Sequence, residues 1–132
     1  MVLIDTSVLI SFFKKEENEK SARFEYIIAN QIPFGICRLI YQEILQGSRT
    51  DKEFELLKKY LSSQRFYELL YGLQSIEQAA SINLECRKNG ITVRSTIDLL
   101  IVEIVLENKL MLLHNDNDFD HISKVIKDLK FF

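Results

Sequence analysis

Cysteine, proline and glycine are all scarce in this sequence, and each shortage removes a class of explanation. Two cysteines, Cys37 and Cys86, stand far apart and form no CxxC pair, which argues against a zinc site and against a secreted disulfide scaffold. One proline, Pro33, and four glycines leave no linker, and no repeat is present, so residues 1–132 read as a single domain. No apolar run approaches the ~20 residues that span a bilayer. The opening Met1-Val2-Leu3-Ile4-Asp5 has no basic stretch and too short an apolar run for a signal peptide. The expectation is a soluble cytoplasmic protein with no membrane attachment. Positive charge is also lacking. With 17 basic against 19 acidic residues and a net charge of −2, nucleic-acid binding through bulk charge is disfavoured. That exclusion is conditional, because four acids gathered around a divalent cation would leave the remainder of the chain positive.

What is present is ordinary globular composition, 47% hydrophobic and 27% charged, enough for a core without disulfides or a structural metal. Val2-Leu3-Ile4 has the character of a buried strand, and Asp5-Thr6-Ser7 follows it as a turn and helix cap. Val8, Leu9, Phe12 and Phe13 then fall at helical spacing. A helix is predicted over Glu19–Ala29, a strand over Pro33–Cys37, and a helix through Ile40, Ile44 and Leu45 to Gly47, a suitable residue just past a helix end. Thr50-Asp51-Lys52-Glu53 is a capping box, opening a helix with Phe54, Leu57 and Leu61 on its apolar face. Phe66–Leu70 is predicted as a strand. The helix over Gln74–Asn89 is expected to turn Ile76, Ala79, Ala80 and Leu84 inward, with Gly90 closing it. Ser95-Thr96 caps a helix running to Asn108, Leu110–Leu113 is a strand, and His114–Asp118 is a polar turn. Strand and helix alternate, which predicts an α/β protein with a parallel sheet and helices on both faces.

Ligand sites in such sheets lie beyond the carboxyl ends of the strands, where the strand order reverses. Asp5 and Asp116 both stand at strand ends and share one crevice if their strands are neighbours. Taken singly, Asp5 reads as a helix cap, and Asp116 and Asp118 read as members of an Asx-rich turn. Asp98, in the first turn of a helix, suits the positive end of the helix dipole. Yet Asp98 leads into Leu99-Leu100-Ile101-Val102, and Glu43 lies between Tyr41 and Ile44, so both approach the core, where a lone charge is costly. Four acids with few basic neighbours favour a shared cation. An all-carboxylate set suits Mg²⁺, or Mn²⁺ in its place, rather than zinc. His114 and His121 lack metalloprotease spacing and read as surface or helix-end residues, and the two cysteines read as packing.

Four blocks carry a resemblance: Leu3-Ile4-Asp5-Thr6-Ser7-Val8-Leu9-Ile10, Glu43-Ile44-Leu45-Gln46-Gly47, Val93-Arg94-Ser95-Thr96-Ile97-Asp98-Leu99-Leu100-Ile101, and Leu112-Leu113-His114-Asn115-Asp116-Asn117-Asp118-Phe119. In order and spacing, over essentially the whole chain, they are similar to the PIN-domain ribonucleases, and within them to the VapC toxins of toxin–antitoxin pairs. The resemblance implies a PIN-like three-layer α/β/α sandwich with a central, mainly parallel sheet. It places an acidic tetrad at Asp5, Glu43, Asp98 and Asp116, both catalytic and metal-holding, with Thr6 and Asp118 in supporting positions. It further implies Mg²⁺-dependent endoribonuclease activity on RNA, a homodimer, and inhibition by a VapB-like antitoxin lying over the active-site groove. Glu103 departs from the pattern, standing where a small residue is usual.

Arg94, four residues before Asp98, is the best placed of the basic residues (Lys14, Lys15, Arg38, Arg87, Lys88 and Arg94) to meet a phosphate. Phe12, Phe13, Phe24, Tyr41 and Tyr60 belong either to the core or to a partner groove. An acidic pocket would also receive an arginine from such a partner, since guanidinium pairs bidentately with carboxylates. Two other readings are a phospho-acceptor receiver domain and a catalytically silent RNA-binding module of the same fold. The receiver would need an acidic pair after its first strand and a lysine after its last, where this chain has Asp5 alone and Asn115-Asp116. A silent module would not need a complete tetrad.

Overall fold

The computed structural model describes residues 1–132. Four parallel strands, β1 (Val2–Ile4), β2 (Phe34–Gly35), β3 (Met111–Leu113) and β4 (Lys130–Phe131), lie in the order β2-β1-β3-β4. Around them run α1 (Thr6–Phe13), α2 (Glu19–Ala29), α3 (Arg38–Gln46), α4 (Asp51–Leu61), α5 (Leu73–Lys88), α6 (Thr96–Glu107) and α7 (Asn117–Val125). Helices α1–α4 pack chiefly among themselves, as do α5–α7, giving the predicted α/β/α layering around a parallel sheet. Every residue of β1 and the last two of β3 are buried, as continuous apolar runs in a sheet covered on both faces must be. The chain leaves β1 for β2 on one side and later returns through β3 on the other. The strand order therefore reverses between β1 and β3, whose registers pair Ile4 with Leu113.

Strict alternation fails. Four helices, α3–α6, separate β2 from β3. The strand predicted at Phe66–Leu70 reduces to one bridge, Phe66 to Ile36. The reason is competition for its backbone groups: the Leu70 N–H donates to a Glu107 carboxylate oxygen (2.7 Å), and the Glu68 carbonyl accepts the Asn108 side-chain amide (2.9 Å). With those groups taken by the end of α6, no ladder can extend. The 65–67 segment does cross Gly35 closely; a Cβ there would lie 2.4 Å from the Arg65 carbonyl oxygen and 2.7 Å from the Tyr67 ring.

The inward face of α5 is a second correction. Ser75, Ala79, Ile82 and Cys86 are the buried residues, whereas Ile76 and Leu84 are exposed. Three of the four are small, which suits close packing against α6, and the Ser75 hydroxyl oxygen accepts the Tyr71 N–H (3.0 Å). Apolar count alone pointed to the wrong stripe. On α4, Thr50 caps through the Glu53 N–H (3.1 Å), but Glu53 itself accepts from Arg49 rather than Thr50, and Phe54 stays largely exposed. Gly47 ends α3 in the right-handed region and uses none of its extra freedom, whereas Gly90 after α5 has φ +74. The His114–Asp118 segment is a turn only as far as Asp116; α7 begins at Asn117, held by buried Phe119 and Ile122.

Candidate metal centre

The crevice between the ends of β1 and β3 is built by helix caps. Asp5 follows β1 directly and caps α1. Its Oδ2 accepts both the Ser7 N–H (3.1 Å) and the Ser7 hydroxyl (2.6 Å), while its own N–H continues the sheet to the Leu113 carbonyl (2.9 Å). Asp5 is thus both a cap and a member of the crevice. Burial pushes its carboxyl above the usual range; the Ser7 bonds pull the other way, and the Glu43 charge adds to the rise. The Ser7 hydroxyl oxygen also accepts the Asn115 N–H (2.9 Å), tying the loop after β3 to the loop after β1.

Glu43 reaches the crevice from α3, where Oε2 accepts the Thr6 hydroxyl (2.5 Å). Asp98 sits in the first turn of α6, its N–H donating to Ser95 Oγ (3.3 Å). Its carboxyl is pushed up to about 7, first by burial and then by the charges of Asp116, Asp5, Asp118 and Glu43. The charges of the other four carboxylates are therefore felt at Asp98. Asp116 caps α7, Oδ1 accepting the Asp118 N–H (2.9 Å). The tightest group is Asp98, Asp116 and Asp118, with one oxygen from each lying within 4.8 Å of the others. Asp118, expected as a supporting residue, stands inside this trio, and Asp5 and Glu43 stand beside it.

No lysine or arginine pairs with any of the five. The ion pairs of the chain are Arg23–Glu19, Arg38–Glu68, Lys88–Glu85 and the contact of His114 with Asp120. Arg94 is exposed, at the entry to α6, and makes no ion pair. Half-buried carboxylates without a cationic partner repel one another at neutral pH. The donor set is all oxygen, which fits a hard divalent cation such as Mg²⁺ and excludes a zinc-type nitrogen or sulfur set.

His114 was missed by reasoning from residue types, because a histidine in a polar turn reads as solvated. It is buried, at 2% exposure, in edge contact with the Phe131 ring and tilted against Phe119. Nδ1 accepts the Asp116 N–H (3.1 Å), which requires that nitrogen to be unprotonated, and burial pushes the pKa down in the same sense. Ser7 was likewise passed over. His121 is exposed. Cys37 and Cys86 are buried and unpaired, and burial pushes the Cys37 thiol up to about 11, so both act as packing.

The aromatic residues divide. Phe24 is core, while Phe12 and Phe13 line, with Leu9, Ile28 and Tyr60, an apolar groove of about 330 Å³ between α1, α2 and α4. Tyr41 packs edge-on against Phe66 instead.

The sequence matches the PIN domain family model over residues 2–125. It is 28% identical to ribonuclease VapC11 of Mycobacterium tuberculosis, covering 95% of this chain and 93% of that one. The fold is similar to chains in the crystal structures of VapBC2 from Rickettsia felis bound to a promoter DNA fragment (TM-score 0.76, 14% identity, 100% and 98% coverage) and of FitAcB from Neisseria gonorrhoeae (TM-score 0.73, 18% identity, 100% and 96% coverage). With the strand order, the acid-lined switch point and this match running from β1 into α7, the chain belongs to the PIN domain family.

Proposed function

We propose that this chain is a Mg²⁺-dependent endoribonuclease acting as the toxin of a toxin–antitoxin pair. The observation that carries the proposal is the trio of carboxylates Asp98, Asp116 and Asp118 at the switch point, with the charges of Asp5 and Glu43 felt at Asp98 and no lysine or arginine paired with any of the five. Asp98, Asp116 and Asp118 would hold the ion together with Asp5, and Glu43, oriented by the Thr6 hydroxyl, would bind it directly or through water. A divalent ion held there would supply a water of lowered pKa and charge neutralisation at the scissile phosphate. The chain's own residues do the rest. Helix caps fix the directions of Asp5 and Asp116, Asp116 or Asp118 orients the attacking water, and Arg94 at the rim meets a phosphate of the RNA. The name of the mycobacterial relative, a ribonuclease, supports this reading.

Two partners follow. A VapB-like antitoxin tail is supported by the Phe12–Phe13 groove, which offers apolar anchoring at the far end of α1 from Asp5, and an arginine of the tail would fill the acidic crevice. The solved complexes of similar folds support the same partner. A second copy of the chain is supported by the exposed apolar residues Leu70, Tyr71, Leu73 and Ile76 entering α5.

The test is cleavage of RNA by the purified chain. Mg²⁺ or Mn²⁺ should support it, EDTA should abolish it, and Asp98→Asn should remove it while leaving a folded protein. Full cleavage in EDTA, or an Asp98→Asn variant as active as the wild type, would refute the mechanism, whereas RNA binding without cleavage under any of these conditions would make the silent RNA-binding module the better reading.

A further inference from the structure

The turn that carries Asp116 away from β3 is held by side chains rather than by sheet or helix. Three of its backbone N–H groups are received by such acceptors: Asn115 by Ser7 Oγ (2.9 Å), Asp116 by His114 Nδ1 (3.1 Å) and Asp118 by Asp116 Oδ1 (2.9 Å). The middle bond is the unusual one, because it takes a buried imidazole to make it. An imidazole that accepts at Nδ1 carries its proton on Nε2. Here Nε2 is buried and lacks a hydrogen-bond partner, with the nearest acid, Asp120, 3.5 Å away. A buried N–H without a good partner weakens a fold. An apolar ring would pack between Phe119 and Phe131 without that penalty, so packing alone does not explain a histidine here.

We infer that His114 is a positioning residue, whose Nδ1 fixes the Asp116 backbone and so aims the Asp116 carboxylate at the Asp98–Asp116–Asp118 trio. The inference rests on the reading of that trio as a metal site. It adds that the site's geometry depends on a residue that touches neither ion nor substrate. Outer partners of this kind commonly change metal affinity 10- to 100-fold when removed.

Three variants of the full chain test it, with Mn²⁺ binding followed by calorimetry and thermal unfolding followed in parallel. His114→Phe keeps the aromatic packing and removes the acceptor. It should stay folded, at or above the wild-type Tm, and lose about 10-fold in Mn²⁺ affinity. His114→Asn removes the ring but keeps an acceptor at the same branch point, able to receive the same N–H as an Asx turn. It should unfold at lower temperature yet bind Mn²⁺ within about threefold of the wild type, far closer than the loss expected from removing an outer partner. A structural role alone would order the variants the other way, with affinity following Tm. Wild-type Mn²⁺ affinity in His114→Phe, or equal losses in the two variants, overturns the inference. Asp116→Asn is the control. If it binds Mn²⁺ as tightly as the wild type, the metal reading falls, and His114 has nothing to position. If it loses Mn²⁺ while His114→Phe does not, only the inference falls.

Discussion

Removing one charge from the acidic cluster should make the metal-free protein more stable at pH 8. The Asp98 carboxyl sits at about 7 in place of 3.8, and at 1.36 kcal/mol per pH unit that climb corresponds to about 4 kcal/mol of disfavoured ionisation. Asp98 is half-buried, so solvent screens a good part of this, and about 2 kcal/mol is the expected share. Asn in the first turn of α6 forgoes the contact of a negative charge with the helix dipole, about 0.3–1 kcal/mol. The net gain for Asp98→Asn is therefore about 1–1.5 kcal/mol at pH 8, or about 4–6 °C in Tm for a chain of this length. The sign follows from linkage. A carboxyl whose folded pKa is raised binds more protons folded than unfolded, so its contribution is most favourable in acid and is lost as pH rises from about 4 through about 7. The two proteins should converge near pH 4, where Asp98 is protonated in the fold, and diverge up to pH 8. Thermal unfolding in EDTA across this range measures the difference. A variant less stable than the wild type at pH 8, or a gap independent of pH, would refute the reasoning. Adding Mg²⁺ should reverse the order, because 100-fold saturation stabilises the wild type by about 2.7 kcal/mol and the variant binds weakly.

Phe13→Asp with Ile28→Lys, both at exposed positions lining the apolar groove, should abolish capture of the cognate antitoxin while leaving RNA cleavage unchanged; undiminished capture would remove the groove as the docking surface. Glu103 is buried on α6, and burial together with the adjacent Glu107 carboxylate pushes it up to about 7. Glu103→Gln should raise stability at pH 8, with no difference near pH 4, as read by thermal unfolding; a loss at pH 8 would show that the charge is needed.

The fold was legible where the signal is local and redundant. Val2–Ile4, the helix over Glu19–Ala29 and the helix opening at Ser95 each combine an apolar pattern with a cap, and the structure reproduces them. The failures share a cause, which is tertiary competition. Residues 66–70 have strand composition, but Glu107 and Asn108 claim their backbone groups. The buried stripe of α5 is chosen by closeness to α6, which favours Ser75, Ala79 and Cys86 over the larger Ile76 and Leu84. For the site, the acids were readable because residue type carries their chemistry; the structure groups Asp98, Asp116 and Asp118, with Asp118 drawn further in than expected, and leaves Asp5 and Glu43 outside that trio. Ser7 and His114 were not readable, because they act by receiving backbone N–H groups from a turn, and nothing in a linear sequence marks such a pairing.

The cluster also shows how a fold tolerates five carboxylates with no cation of its own. Asp5 caps α1, Asp116 caps α7, and Asp98 and Asp118 lie in the first turns of α6 and α7. Three helix N-termini therefore converge on the crevice, each carrying about half a positive charge. An acid in such a place gains about 0.3–1 kcal/mol, more when partly buried, which offsets much of the mutual repulsion. It does not offset all of it, since Asp5 and Asp98 remain hard to ionise. The dipoles thus offset part of the repulsion and are too weak to satisfy the charge. What remains is an unmet demand for a compact cation, which under the proposed function a divalent ion would meet in catalysis and an arginine side chain would meet in inhibition. The two would compete for the same oxygens, so raising Mg²⁺ should weaken an arginine-bearing antitoxin tail, and a tail with that arginine replaced should lose this sensitivity while keeping its apolar anchors.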